Sequence, residues 1–188
     1  MSEMLTIDTS AGLVKEERIE PLPLFGENST MLSMVMPEYT DPLPNPVMTN
    51  LVKRLRFTMK MYGGIGLSAN QCGVYVRAFV IGAGDYAMTC INPKILESSA
   101  DLIKDNEGCL SFLGLYVKIE RPSWVRVEYT DENGETKQTK LEGLTARCFV
   151  HELDHMNGTK FVSHVGPVAL QMAKKKQSKL MKKYTRLK

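Results

Sequence analysis

Residues 151–155 read HELDH, with a glutamate directly after the first of two histidines set four apart. On a helix, positions i and i+4 share a face one turn apart, so the imidazoles of His151 and His155 can close on one ion. Glu152 then points to the side, near enough to act on a water at that ion without being a ligand to it. That is the physical content of H-E-x-x-H, whose chemistry is metal-assisted hydrolysis with a carboxylate as general base. The plain alternative is a charged helix that happens to carry two histidines. A third ligand from elsewhere in the chain separates the two.

Reading onward narrows the source of that ligand. A metzincin would place a third histidine six residues after the second, where this chain has Phe161. A thermolysin-like site would take a downstream carboxylate, and no Asp or Glu follows Asp154. His164 is the one remaining histidine; its spacing is wrong for a ligand, and it reads as structural. Cysteine is left. Cys148 precedes His151 by three residues and shares its helix face, while Cys109 lies in NEGCLSF, ahead of the strand-like LYVKI. Spacing leaves both open. Cys72 and Cys90 have no special surroundings and read as buried thiols.

These groups need a scaffold. NPVMTNLVKRLRFTMKMYGG predicts a helix: Asn45 can cap, Pro46 suits the first turn, and Met48, Leu51, Val52, Leu55, Met59 and Tyr62 keep helical spacing up to Gly63 and Gly64. Strand-like stretches follow at 75–81, 87–92, 115–119 and 124–130. DENGE then predicts a turn, because Asn133-Gly134 accepts positive φ, and TKQTKLEG returns as a hairpin partner. A second helix is expected over 144–157, closed by Gly158, and a third from Pro167. Residues 1–44 read as mostly extended and loop. The order implies α+β, with a central HExxH-bearing helix packed by antiparallel β-sheets, a helix in the N-terminal half and a basic C-terminal helix. Residues 1–188 are expected to form a single catalytic domain.

Composition removes other classes. A chain of 188 residues, 43% hydrophobic and 24% charged, suits one globular core. No apolar stretch approaches the roughly 18 residues of a membrane span, and the acidic start has neither a signal core nor a transit-peptide pattern. Four cysteines without a CxxC pair favour reduced thiols and a cytoplasmic location. The net charge of +3 hides an asymmetry: residues 174–188 hold seven lysines and Arg186 with no acid, so the rest of the chain is net acidic. From Pro167 the apolar Leu170, Ala173, Leu180, Tyr184 and Leu187 suit one helix face. Such a helix can rest on the body and present its charge outward to nucleic acid or an acidic surface, or serve only as a solubilising cap, and deleting 174–188 should leave the chemistry intact.

GIGLSANQ (64–71), EGCLS (107–111) and HELDH (151–155), in this order, resemble the three signature motifs of the peptide deformylases. The resemblance implies a metal-dependent hydrolase that removes the formyl group from formyl-methionine at the start of new polypeptides. It assigns Cys109, His151 and His155 as metal ligands, Glu152 as general base, and Gln71 with the backbone N–H of Leu110 as oxyanion donors. It leaves Cys148 as a pocket wall. It also implies one divalent ion, Fe2+ ahead of Zn2+ or Ni2+, all of which suit a thiolate with two imidazoles. Gly63, Gly64 and Gly66 suit a loop where backbone closely approaches an extended peptide. Ile65, Leu144 and Cys148 are candidates to line a methionine slot, and Glu107, Arg121 and Asp154 to brace the ligands from behind. The chain departs from the family pattern at Leu113, where proline is usual, and at Ser68, where alanine is common. The competing expectations are a non-catalytic, metal-stabilised ribosome-binding module and a general HExxH metallopeptidase.

Overall fold

The computed structural model of the protein describes residues 19–82 and 87–185. Leu187 of the expected apolar stripe and the first 18 residues of the N-terminal segment lie outside the described residues. Among the described residues the architecture is mixed α/β, with antiparallel sheets and three α-helices.

Helix α1 (Pro46–Met61) begins where expected, the Asn45 side chain accepting from Met48 N at 2.9 Å. It stops because Gly63 takes φ +66°, letting Gly63 N reach Lys60 O and Gly64 N reach Met59 O. Met48, Val52, Leu55 and Met59 are buried as the spacing implies, but Tyr62 is 49% exposed, since the helix has already ended.

Strands β1 (Gly66–Ser68), β2 (Ala78–Ile81), β3 (Met88–Ser98), β6 (Trp124–Thr130) and β7 (Thr136–Glu142) form one antiparallel sheet in the order β1-β2-β3-β6-β7. Strands β4 (Leu102–Gly108) and β5 (Tyr116–Pro122) form a separate antiparallel pair. Neither β1 nor β4 was expected. Strand β1 is three residues long and begins with glycine, and β4 buries only Glu107, so no alternation marks it. The strand expected over 75–81 shortens, because Arg77 N bonds to Pro37 O and Val76 N to Val74 O, outside the ladder. In the β6–β7 turn the positive φ belongs to Gly134 and not to Asn133. Asp131 Oδ1 organises that turn by accepting from Asn133 N and Glu135 N, both at 2.9 Å.

Helix α2 (Gly143–Met156) packs against strands from both sheets, with Phe149 edge-on to Phe79 at 5.2 Å. From Ala146 to Met156 every residue except Asp154 is buried. Each fully buried apolar side chain contributes on the order of 1.5–3 kcal/mol, so α2 is held firmly from several sides. Arg147, His151, Glu152 and His155 are carried inside with it, and buried polar groups require partners there.

The segment before α1 straps these elements. Leu22 N donates to Thr58 Oγ1, Phe25 N to Gln71 O, and Met36 N to Met156 O, each at 2.8 Å. Helix α3 (Pro167–Thr185) packs Leu170 and Ala173 on a cluster containing Phe112, Leu115 and Phe161. Its second half is not a free appendage: Gln177 Nε2 donates to Leu113 O at 2.8 Å, and Leu180 and Met181 flank Gly114. Among the described residues no helix is long and apolar enough to cross a membrane.

Candidate active site

The structure brings Cys109, the ligand that the resemblance implies, to the two histidines, and Cys148 is not part of that group. Cys109, His151 and His155 each offer one donor atom, and these lie within 4.8 Å of one another. Cys109 follows β4 directly, in a tight turn closed by Phe112 N donating to Cys109 O at 2.9 Å, and its Sγ stands 3.3 Å from His155 Nε2. Glu107 Oε2 lies 3.1 Å from His151 Nδ1, leaving Nε2 available to an ion. Cys148 instead donates its thiol to Ile65 O at 3.2 Å, and burial, reinforced by the Glu152 charge, holds its pKa well above the usual thiol value. It remains a neutral wall. A thiolate with two imidazoles is a donor set that Fe2+, Zn2+ and Ni2+ all fit. Phe161, in the position where a metzincin would have its third histidine, packs its ring 5.5 Å from that of His151.

The two imidazoles differ electrostatically. Without an ion, burial opposes charge on His151, but Cys109 and Glu107 outweigh it and raise its pKa to about 10, so an ion must displace the Nε2 proton to bind there. Burial and then the His151 charge push His155 well below the ordinary value, so it stays neutral. Its Nδ1 is buried with no partner among the described residues, whereas its backbone carbonyl accepts from Asn70 Nδ2 at 2.8 Å.

Glu152 is 3% exposed, and burial raises its pKa against the opposing pull of His151. Its Oε2 accepts from the Ser68 hydroxyl. Its Oε1 faces Gly66, where an added Cβ would crowd that oxygen and fall 2.8 Å from Cys148 Sγ. Gly66 is therefore explained by the close approach of α2 to β1, as well as by its place in the cavity wall. Gln71 sits on a 3-10 turn (Ala69–Cys72); its Oε1 accepts from Ser68 N at 2.9 Å. Its Nε2 thus faces Ser111 Oγ at 3.1 Å and Cys109 Sγ at 3.3 Å. Leu110 stands across from Gly64 in the cavity wall.

Behind the histidines lies a buried ionic cluster. Arg121 grips Glu107 with Nε at 2.9 Å and Nη2 at 3.0 Å, and its Nη1 reaches Asp154 Oδ2 at 2.8 Å. Glu107, Arg121 and Asp154 thus meet in one cluster, a pairing that spacing alone did not give. Arg147 was not singled out from the sequence, and His164, read as structural, joins at the edge. Arg147 donates to Glu107 Oε1 at 2.8 Å, Ile119 O at 3.0 Å and Ile103 O at 2.6 Å; His164 pairs with Asp154 Oδ2 at 2.7 Å. Arg147 had a signal: it stands in the otherwise apolar ARCFV with no acid at i±3 or i±4, so its partner had to come from afar. Burial works against charge on Glu107, but hydrogen bonds from His151 and Arg121 prevail and hold its pKa at about 2.

A cavity of about 360 Å3 opens onto Cys109, His151, Glu152 and Gln71. Cys148 and Gly66 form part of its wall, while Ile65 and Leu144, 45% and 65% exposed, stand at its rim. Both β1 and β4 are edge strands, and residues of each line it.

A three-donor cluster beside a buried carboxylate, open to a cavity, is the arrangement that metal-assisted hydrolases use. The chain belongs to the polypeptide deformylase family, whose sequence profile matches residues 27–171. It is similar to the peptide deformylase of Thermotoga maritima, 39% identical over 125 residues, covering 66% of this chain and 76% of that protein. The structure resembles a peptide deformylase from Synechococcus elongatus in complex with actinonin, with TM-score 0.79 and 33% identity over 92% of this chain and 95% of that one. It also resembles the Met-Ala-Ser-bound class I type b peptide deformylase from Acinetobacter baumannii, with TM-score 0.75 and 27% identity over 79% of this chain and all (100%) of that one. The protein is accordingly an enzyme of the deformylase type, and its membership supports N-terminal deformylation.

Proposed function

We propose that this enzyme hydrolyses the formyl group from formyl-methionine at the N-terminus of newly made polypeptides, releasing formate, with one divalent ion held by Cys109, His151 and His155. The observation that carries the reading is the meeting of a base and a neutral donor at that cluster: Glu152 adjoins His151, and Gln71 Nε2 lies 3.3 Å from Cys109 Sγ. When bound, a divalent ion there supplies Lewis-acid polarisation and a lowered pKa for water; Fe2+ is proposed ahead of Zn2+ or Ni2+.

Glu152 takes the proton of the attacking water and returns it to the departing amine. Attack on the formyl carbon creates an oxyanion, to which Gln71 Nε2 and the Leu110 backbone N–H donate. Both donors are neutral, so neither competes with Glu152 for charge, and losing one such donor typically costs about 10²–10³ in rate. The substrate backbone runs extended between the edges of β1 and β4, and its methionine side chain enters the slot beside Ile65, Gly66, Leu144 and Cys148. The Met-Ala-Ser peptide named with the Acinetobacter relative supports this choice.

Formate release from formyl-Met-Ala-Ser, with unformylated Met-Ala-Ser as control, tests the reaction. Glu152→Gln should keep its metal and lose roughly 10²- to 10⁴-fold in rate. A metal-free variant, near-full activity, or cleavage of the unformylated peptide would each overturn the assignment.

We further propose one catalytic domain working in the cytoplasm, with α3 meeting an anionic ribosomal surface near nascent chains. Because α3 also touches the loop after Cys109, changing Lys174, Lys175, Lys176 and Lys179 to glutamine tests this more cleanly than truncation. Turnover of short peptides should persist while salt-sensitive sedimentation with ribosomes is lost. Unchanged sedimentation would refute the docking role.

A further inference from the structure

Ser68 plays no part in the reaction as described, and it replaces the alanine common in the resembling motif. It is fully buried, at 0% exposure, and touches both groups that act on the reacting atoms. Its backbone N–H donates to Gln71 Oε1 at 2.9 Å, and its hydroxyl accepts from Gln71 N, completing a reciprocal capping box. The single hydroxyl proton goes to Glu152 Oε2. Two orientations follow. With Oε1 of Gln71 engaged, its Nε2 is turned towards Cys109 and Ser111. With Oε2 of Glu152 tethered, Oε1 is left beside Gly66 on the cavity side.

We propose that Ser68 is a positioning residue that sets the base and the oxyanion donor against each other. The inference rests on the roles given to Glu152 and Gln71 above, and the two can fail separately: an active Glu152→Gln enzyme would remove those roles, whatever Ser68 does. If Ser68 only capped its turn, replacing it would lower the melting temperature without a selective effect on kcat. A hydrogen bond to a charged group, and the geometry it fixes, affects the rate itself.

The test is Ser68→Ala, which removes one oxygen from a packed site and adds nothing. Metal content and the melting temperatures of metal-free and loaded protein are measured beside kcat and KM on formyl-Met-Ala-Ser. We expect kcat per bound metal to fall roughly 10- to 100-fold, with KM and metal content unchanged. In a Glu152→Asp background the shortened carboxylate no longer reaches Ser68, so Ser68→Ala should add no further loss. Ser68→Thr keeps the hydroxyl and should retain most of the rate. The proposal is overturned if Ser68→Ala stays within about twofold of the parent, if its loss merely follows lost metal, if it costs as much in the Glu152→Asp background, or if Ser68→Thr fails as Ser68→Ala does.

Discussion

Glu107 is the group whose replacement should do most damage without touching substrate. It is 6% exposed and faces Arg121 through two hydrogen bonds, Arg147 through one, and His151 through another. Glu107→Gln keeps the shape but leaves the buried Arg147 without a carboxylate and Arg121 with only Asp154, and breaking such a buried pair typically costs about 3–5 kcal/mol. Proton linkage gives a second route to the magnitude. The carboxyl titrates at about 2 in the folded protein, below its ordinary value of about 4.3, so it contributes stability that is complete above roughly pH 4.5 and is lost as pH falls towards 2. That gap corresponds to about 3 kcal/mol, so the two routes agree. For a chain of this size the melting temperature should drop by about 6–12 °C at pH 7. Metal affinity should weaken about 10- to 100-fold, because His151 loses the partner that orients it. Circular dichroism melts of metal-free protein between pH 2 and 7, with metal titrations at pH 7, measure both. A variant melting within about 2 °C of the parent at pH 7, or keeping the parent's full loss of stability between pH 4.5 and 2, would refute the reasoning.

Cys109→Ala should abolish stoichiometric metal binding, whereas Cys148→Ala should keep the metal and disturb the cavity wall near Ile65; metal analysis per chain distinguishes them, and the opposite pattern would return the third ligand to Cys148. Gly66→Ala drives a methyl group against Glu152 and Cys148, so it should cost about 1–3 kcal/mol and most of the activity; a thermally neutral, active variant would count against the close approach of α2 to β1. A slot lined by Ile65, Leu144 and Cys148 should favour formyl-Met over formyl-Lys peptides, and equal kcat/KM on both would exclude it. Deleting residues 174–188 removes Gln177, Leu180 and Met181 from the loop at Leu113 and Gly114, so KM should rise as well as stability fall; unchanged KM would show that α3 does not support the cavity.

The sequence by itself determined what rests on neighbours in the chain. The start of α1 at Asn45 and Pro46, its stop at Gly63 and Gly64, and the pairing of His151 with His155 across one turn are set by spacings of a few residues. The three motifs also carried the family, and with it the roles expected of Glu152 and Gln71. Strand β4 escaped because a hairpin strand with one buried residue leaves no periodic trace. Helical spacing placed Cys148 on the face of His151 and could not say where Cys109 went. Only the tertiary structure turned Cys148 to Ile65 and carried Cys109 to the histidines. It alone joined Glu107 to Arg147, and Ser68 to Glu152 across 84 residues. Those contacts arise because α2 is buried nearly all round, so its polar side chains take their partners from whichever distant segments the sheets bring against it.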